Sequence, residues 1–265
     1  MAELSLGPTF IVSDLHLRGP DDANQKLFLR FLEERIAPHL DRTLVIAGDL
    51  FDFWYAVGDE IPEAYEEVIE RLSTLPRVLW LEGNHDIGQS VLLGERGGLQ
   101  VLAGSLLLTC GSLRVHVCHG DQLDRQDYGQ RFLRKVLESQ GVRALAARIG
   151  SQRVQSLGTK LASRSRGRQG GLEGRDRAWL RQAELDAQDR TAQATDLCVR
   201  GHGHFLGWWP SGLICLGDWL SFYSYLELQP VGQPIQLRRY LPGTNTDPLL
   251  SSSAVGELSF SELAE

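Results

Sequence analysis

Thr43-Leu44-Val45-Ile46-Ala47-Gly48-Asp49-Leu50-Phe51-Asp52 opens on a five-residue apolar and β-branched run and closes on a glycine and two acids. A run this short and this rich in β-branching reads as a strand rather than a helix. Working outward, Thr9–Ser13 and Val78–Leu81 have the same character, and each also ends in a polar cluster: Asp14-Leu15-His16 after the first, Gly83-Asn84-His85-Asp86 after the second. Between these runs, Asn24–Ala37 and Pro62–Thr74 carry apolar residues at helical spacing, and Pro62 suits a first helical turn. Strand and helix in alternation predict an α/β fold.

Further along, Leu106–Cys110 and Arg114–Cys118, separated by Gly111-Ser112-Leu113, read as a hairpin. From Gln126 to Ala192 strand signal almost vanishes. Phe132, Leu133, Val136, Leu137, Leu145, Ile149, Val154, Leu157 and Leu161 follow helical spacing, interrupted by glycines. Strand-like runs resume at Leu197–Arg200, Leu213–Leu216, Phe222–Leu228 and Ile235–Tyr240. The expected architecture is a four-layer αββα sandwich with a helical insertion. Its core is 1–124 and 194–241, the cap is 125–193, and 242–265 is a mobile tail with Ser251-Ser252-Ser253 and scattered acids. No internal repeat is visible.

At 265 residues and 42% apolar, the chain can bury one substantial core. No run reaches the 18 or so apolar residues of a membrane span, and Met1 to Phe10 lacks the pattern of a secretory signal, so a cytoplasmic location is expected. The four cysteines, Cys110, Cys118, Cys198 and Cys215, show no CxxC pairing and read as small buried hydrophobes. Net charge is −7, unevenly spread: Arg125–Arg190 holds 15 basic against 7 acidic residues, while the remainder holds 12 against 27. A basic segment on an acidic body predicts either an anionic partner or a solvated helical surface.

Five strand-like runs end in polar motifs: Asp14-Leu15-His16, Gly48-Asp49-Leu50-Phe51-Asp52, Gly83-Asn84-His85-Asp86, His119-Gly120-Asp121 and Gly201-His202-Gly203-His204. They hold five of the seven histidines, leaving out only His39 and His116. Ligands of open α/β sheets collect outside the carboxyl ends of strands, so the five loops are expected to converge. Asp14 and His16, like His202 and His204, are two apart, which in extended backbone points both to one side. Any one motif is weak alone, but the five in order predict a metal site. Imidazole, carboxylate and carboxamide without thiolate suit Mn²⁺, Fe²⁺, Zn²⁺ or Mg²⁺. Seven ligand side chains exceed one tetrahedral site and suit a pair of divalent ions about 3.5–4 Å apart, an arrangement for hydrolysis by phosphoryl displacement.

This series resembles the calcineurin-like metallophosphoesterases, whose pattern runs D-x-H, G-D-x-x-D, G-N-H-D/E, H and G-H-x-H, and the resemblance spans roughly Thr9 to Leu228. It implies that Asp14, His16 and His204 hold one metal ion, with Asp49 bridging both, and that Asn84, His119 and His202 complete the second. It further implies that His85 acts on the leaving oxygen and that Asp86 orients its ring by a hydrogen bond.

Between His119 and His202 lie 82 residues, more than compact family members need. This insertion, with the early Gly-Asp-Leu-Phe-Asp-Phe-Trp and the late Gly217-Asp218-Trp219, is similar to that of the UDP-2,3-diacylglucosamine hydrolases of lipid A synthesis. The similarity implies a cap that holds acyl chains, a nucleotide-linked lipid substrate, and peripheral contact with the cytoplasmic face of the inner membrane. Arg134, Lys135, Arg143, Arg148, Arg153 and Lys160 beside apolar stripes agree with this reading. Asn84, Asp127, Arg164, Arg166 and Arg168 are the expected substrate contacts. Two departures are present: the best-known branch of that group has Arg where this chain has His85, and Gly203 replaces a common Thr. The chain is thus either a parallel branch or a soluble phosphodiesterase or phosphatase acting on another substrate. No aromatic residues interleave with the arginines, so no nucleic-acid partner is expected, and no oligomer is indicated.

Overall fold

The computed structural model describes residues 4–56, 60–124, 139–150, 173–230 and 234–253, together with Arg134, Val136, Leu137 and Val154. At its centre β2 (Thr9–Val12), β3 (Thr43–Ala47), β5 (Val78–Leu81) and β8 (Leu99–Leu102) pair in parallel. The eight-stranded sheet built on them runs β16 (Leu249–Ser253), β15 (Ile235–Arg239), β14 (Ser224–Leu228), β2, β3, β5, β8, β7 (Glu95–Arg96). The six-stranded sheet runs β1 (Leu4–Leu6), β9 (Ser105–Cys110), β10 (Leu113–Cys118), β11 (Leu197–Arg200), β13 (Leu213–Leu216), β12 (Leu206–Trp208). A short ribbon pairs β4 (Trp54–Tyr55) with β6 (Asp86–Ile87).

The unbroken apolar runs are explained by two separate cores. Phe10, Val12, Leu44, Ile46, Val78 and Trp80 face an outer helical layer. Their neighbours Ile11, Val45, Ala47, Leu79 and Leu81 pack with Val115, Val117, Val199 and Ile214 between the sheets. Alternate side chains of one strand therefore serve opposite faces, and neither face meets water. Fully burying each Leu, Ile or Phe contributes about 1.5–3 kcal/mol, enough to fix strand register.

The outer layer of the larger sheet consists of α1 (Ala23–Phe31) and α2 (Glu63–Thr74). Asp22 caps α1 by accepting from the Asn24 amide at 3.3 Å. The single helix predicted to Ala37 widens into a π turn over Leu32–Ile36, which brings Leu32 and Ile36 onto the same buried face as Phe28 and Phe31.

The other outer layer is the long helix Glu173–Thr191, where Trp179, Ala183 and Ala187 pack on Cys198, Leu213 and Cys215. This helix falls in the stretch assigned by sequence to the cap, yet it covers the six-stranded sheet. Its buried stripe is mostly alanine, too small to announce a core-facing helix. The expected mobile tail also differs in part. The loop after Pro242 is tied by Asp247 to Arg35, and Leu249–Ser253 adds a strand to the sheet edge. All four cysteines are buried and free.

Candidate metal centre

Each of the five motif loops leaves the carboxyl end of a strand, β2, β3, β5, β10 or β11, and the two sheets bring them to one place. The local backbone is not extended, as the i, i+2 spacing suggested. Asp14, His16, Asp49, His202 and His204 all have φ between 48° and 61°, five of the seven non-glycine residues in that region among those described. Left-handed backbone costs such residues about 1–2 kcal/mol each, so the surroundings must over-determine it. They do: Leu15 and His16 amides donate to the Asp49 carbonyl at 2.9 and 3.1 Å, the Asp14 amide donates to the Gly48 carbonyl at 3.2 Å, and the His202 amide donates to the Asp14 carboxylate at 3.0 Å. Gly48 is required by proximity as well as by its φ of 93°, since a Cβ there would lie 2.4 Å from His119 Nδ1.

The side chains form two overlapping groups. Asp14 Oδ1 lies 3.9 Å from His16 Nε2 and 3.6 Å from His204 Nε2. Asp49 Oδ2 faces three imidazoles, with His119 Nε2 at 3.3 Å, His16 Nε2 at 3.9 Å and His85 Nε2 at 4.0 Å. Asn84 Oδ1 is 3.0 Å from His119 Nε2 and 2.9 Å from His202 Nδ1. Three sets of donors come within 4.8 Å of one another: Asp14, His16, His204; His16, Asp49, His85; and Asp14, Asp49, His119. All seven residues expected as metal ligands are thus together, with Asp49 shared between the groups.

Charge shows what the cluster lacks. Asp14 and Asp49 are buried, and among the described residues neither has a Lys or Arg partner. Burial opposes charge on His119, but the Asp49 carboxylate overcomes it and holds the imidazole well above its ordinary value. His204 is likewise raised to about 9: burial opposes this, and Asp14 and Asp218 outweigh it. Burial lowers His16 to about 4. Buried carboxylates compensated only by imidazolium protons are sites where a divalent cation fits, taking the place of those protons.

Neighbouring groups aim the donors inward. His119 Nδ1 donates to the Ala47 carbonyl at 2.9 Å and His204 Nδ1 to Asp218 at 3.0 Å, leaving each Nε2 toward the cluster. In the sequence Asp218 stands out only within Gly217-Asp218-Trp219, which carries the family resemblance but points to no contact with a histidine. The expected role of Asp86 is corrected. It does not reach the His85 ring, whose Nδ1 donates instead to the Asp52 carbonyl at 2.6 Å. Asp86 accepts from the Leu50 and Phe51 amides at 2.8 and 3.2 Å and from Trp80 Nε1 at 3.3 Å, tying two motif loops together. Sequence adjacency to His85 was misleading, because the two side chains leave the chain in different directions. Asp127, Arg164, Arg166 and Arg168 lie outside the described residues.

The profile of the calcineurin-like phosphoesterase family matches residues 7–206. The chain belongs to that family and is a phosphoester hydrolase; membership implies divalent metal ions. Among curated relatives, the UDP-2,3-diacylglucosamine hydrolase of Aeromonas salmonicida is 28% identical over 253 residues, covering 89% of this chain and 95% of its own. The protein of the same name from Aeromonas hydrophila is 27% identical, covering 86% and 97%. Among solved structures, vacuolar protein sorting 29 from Cryptosporidium parvum aligns with 94% of this chain and 98% of its own at a TM-score of 0.44 and 13% identity.

Proposed function

We propose that the chain hydrolyses UDP-2,3-diacylglucosamine to 2,3-diacylglucosamine 1-phosphate and UMP at a pair of divalent ions, with Mn²⁺ the first choice among Mn²⁺, Fe²⁺, Zn²⁺ and Mg²⁺. The observation that carries this reading is the gathering of seven O- and N-donor side chains, buried Asp49 among them, in a chain whose match to hydrolases of that name runs nearly end to end. Divalent ions at such a site supply Lewis acidity toward a phosphoryl group and offset the charge that builds during displacement.

The chain's own residues do the rest. Asp14, His16 and His204 form one ligand group, Asn84, His119 and His202 the other, and Asp49 joins them. Water adds across the P–O–P bridge, so one phosphate keeps the new oxygen and the other leaves with the bridging one. With His85 Nδ1 committed to the Asp52 carbonyl, Nε2 is the ring atom free to meet the leaving oxygen.

A diacylated substrate also needs an apolar host near the lipid surface. On the helix Gln140–Ile149, Ala146 packs with Tyr55 and Ile87 beside the β4–β6 ribbon, while Leu145 and Ile149 stand exposed next to Arg148. This placement supports peripheral contact with the cytoplasmic face of the inner membrane. Among the described residues no helix is long and apolar enough to cross a membrane.

The test offers the Mn²⁺-loaded chain UDP-2,3-diacylglucosamine, its deacylated form and bis-p-nitrophenyl phosphate side by side, following UMP or nitrophenol release. Each buried CH₂ is worth ~0.8 kcal/mol, so the diacylated substrate should win by orders of magnitude in kcat/KM. Replacing Arg164, Arg166 and Arg168 together should raise KM and leave metal content alone. Equal turnover of acylated and deacylated substrates would defeat the lipid reading and leave a soluble phosphodiesterase.

A further inference from the structure

Trp179 sits on the long helix Glu173–Thr191, remote in sequence from every motif, yet it is almost fully buried against two of the ligand loops. Its indole Nε1 donates to the Gly120 carbonyl at 2.9 Å, directly after His119. Its ring centroid lies 6.0 Å from that of His202, and the indole stacks on Phe205, also at 6.0 Å with the planes 10° apart.

Both glycines in these loops make room for it. A Cβ at Gly120 would fall 3.1 Å from Trp179 Cζ2, and one at Gly203 only 2.3 Å from Cζ3. The second distance is below any real Cβ contact, and the opposing atom belongs to a rigid ring, so a side chain at position 203 and the indole exclude each other. The helix has no freedom to withdraw the ring. Two turns on, Asp186 accepts at 2.7 Å from the fully buried Arg200, two residues before His202, and Arg200 also donates to the His116 and Val199 carbonyls.

We infer that Trp179 is a positioning residue for the metal centre, its indole occupying the space vacated at Gly203 and clamping the His119 and His202–His204 loops in ligand geometry. The inference rests on the proposed ligand set. A group that orients metal ligands without touching the metal typically changes affinity about 10- to 100-fold when removed. A residue that only packs would change stability and leave affinity alone.

The experiment titrates metal-free, full-length protein with Mn²⁺ alone by calorimetry, with circular dichroism and thermal melts on each variant. Trp179→Phe keeps most of the ring but leaves the Gly120 carbonyl without its donor. Gly203→Thr forces a side chain into the indole. Trp179→Ala combined with Gly203→Thr restores room for that side chain. Trp179→Phe and Gly203→Thr should each weaken Mn²⁺ binding about 10- to 100-fold at an unchanged circular dichroism spectrum. The double variant should bind more tightly than Gly203→Thr alone. Wild-type affinity in both single variants, or a loss that the double variant only deepens, would overturn the inference. If the wild-type chain binds a single ion, the dinuclear reading falls, and the same comparisons judge Trp179 on that one site.

Discussion

Asp49 is the hub of the proposed centre, because three imidazoles from different loops converge on its buried carboxylate. Asp49→Asn keeps the shape and removes the charge. It should lower kcat more than about 10²-fold, and, because burial is outweighed by the imidazoles, which hold the Asp49 carboxyl well below its usual range, the metal-free protein should also melt lower than wild type; steady-state kinetics and calorimetry of the apo form check this. His85→Ala should lower kcat by ~10²–10⁴, the range for a proton-transfer group, with both ions retained by metal analysis. Loss of an ion in that variant would make His85 a ligand. Asp86 predicts the opposite pattern. Asp86→Ala orphans three buried donors at about 1–3 kcal/mol each, so its main effect should be a lower melting temperature of the apo protein. Sequence showed which residues gather because each motif closes a strand-like run, and strand ends share a location. It did not show the left-handed backbone at Asp14, His16, His202 and His204, because that conformation is imposed by hydrogen bonds from other loops. Asp86 was misread for a similar reason, since its partners are 6, 35 and 36 residues away in sequence.

At the scale of elements, strands were more legible than helices. Continuous apolar runs define β2, β3 and β5 to within a residue, since both faces of each strand are buried. The long helix does not announce itself as a sheet-covering layer, because two alanines, one tryptophan and a half-buried leucine form its contact with the sheet. The stretch 243–253 looks like a tail in sequence because its anchor is one acid. Asp247 accepts from Arg35 Nε and Nη2 at 2.7 and 2.9 Å, from the Tyr225 hydroxyl at 2.8 Å and from the Leu241 amide at 2.9 Å. Burial opposes its ionisation, but the Arg35 hydrogen bonds win and hold the carboxyl below its usual range. A depressed folded-state pKa adds stability that is complete above the unfolded value near 4 and is lost as pH falls through the folded one. Asp247→Asn should therefore cost about 3 kcal/mol at pH 7, and the gap from wild type should narrow below about pH 4. Urea melts at the two pH values check the sign. An equal gap at both would mean that the carboxylate contributes shape, not charge.

Across the whole molecule, two sheets divide the five motif loops. β2, β3 and β5 of the eight-stranded sheet supply Asp14, His16, Asp49 and Asn84, while β10 and β11 of the six-stranded sheet supply His119, His202 and His204. Neither sheet alone brings the seven side chains together, so the inter-sheet core of Ile11, Val45, Leu79, Val117 and Val199 sets the distance between the two halves of the proposed centre. Val117→Ala, two residues before His119, should cost about 1–3 kcal/mol and also weaken metal binding, which calorimetry with Mn²⁺ would detect. The αββα plan was legible because alternation and strand-end motifs are local patterns. The pairing of half-sites across the core was not, because it depends on how one sheet lies on the other. The claim that the sheets together hold a dinuclear centre is tested most directly by anomalous diffraction from crystals grown with Mn²⁺. The account predicts two peaks about 3.5–4 Å apart, both within bonding distance of Asp49, one beside Asp14, His16 and His204 and the other beside Asn84, His119 and His202. A single peak, or a pair not joined by Asp49, would contradict it.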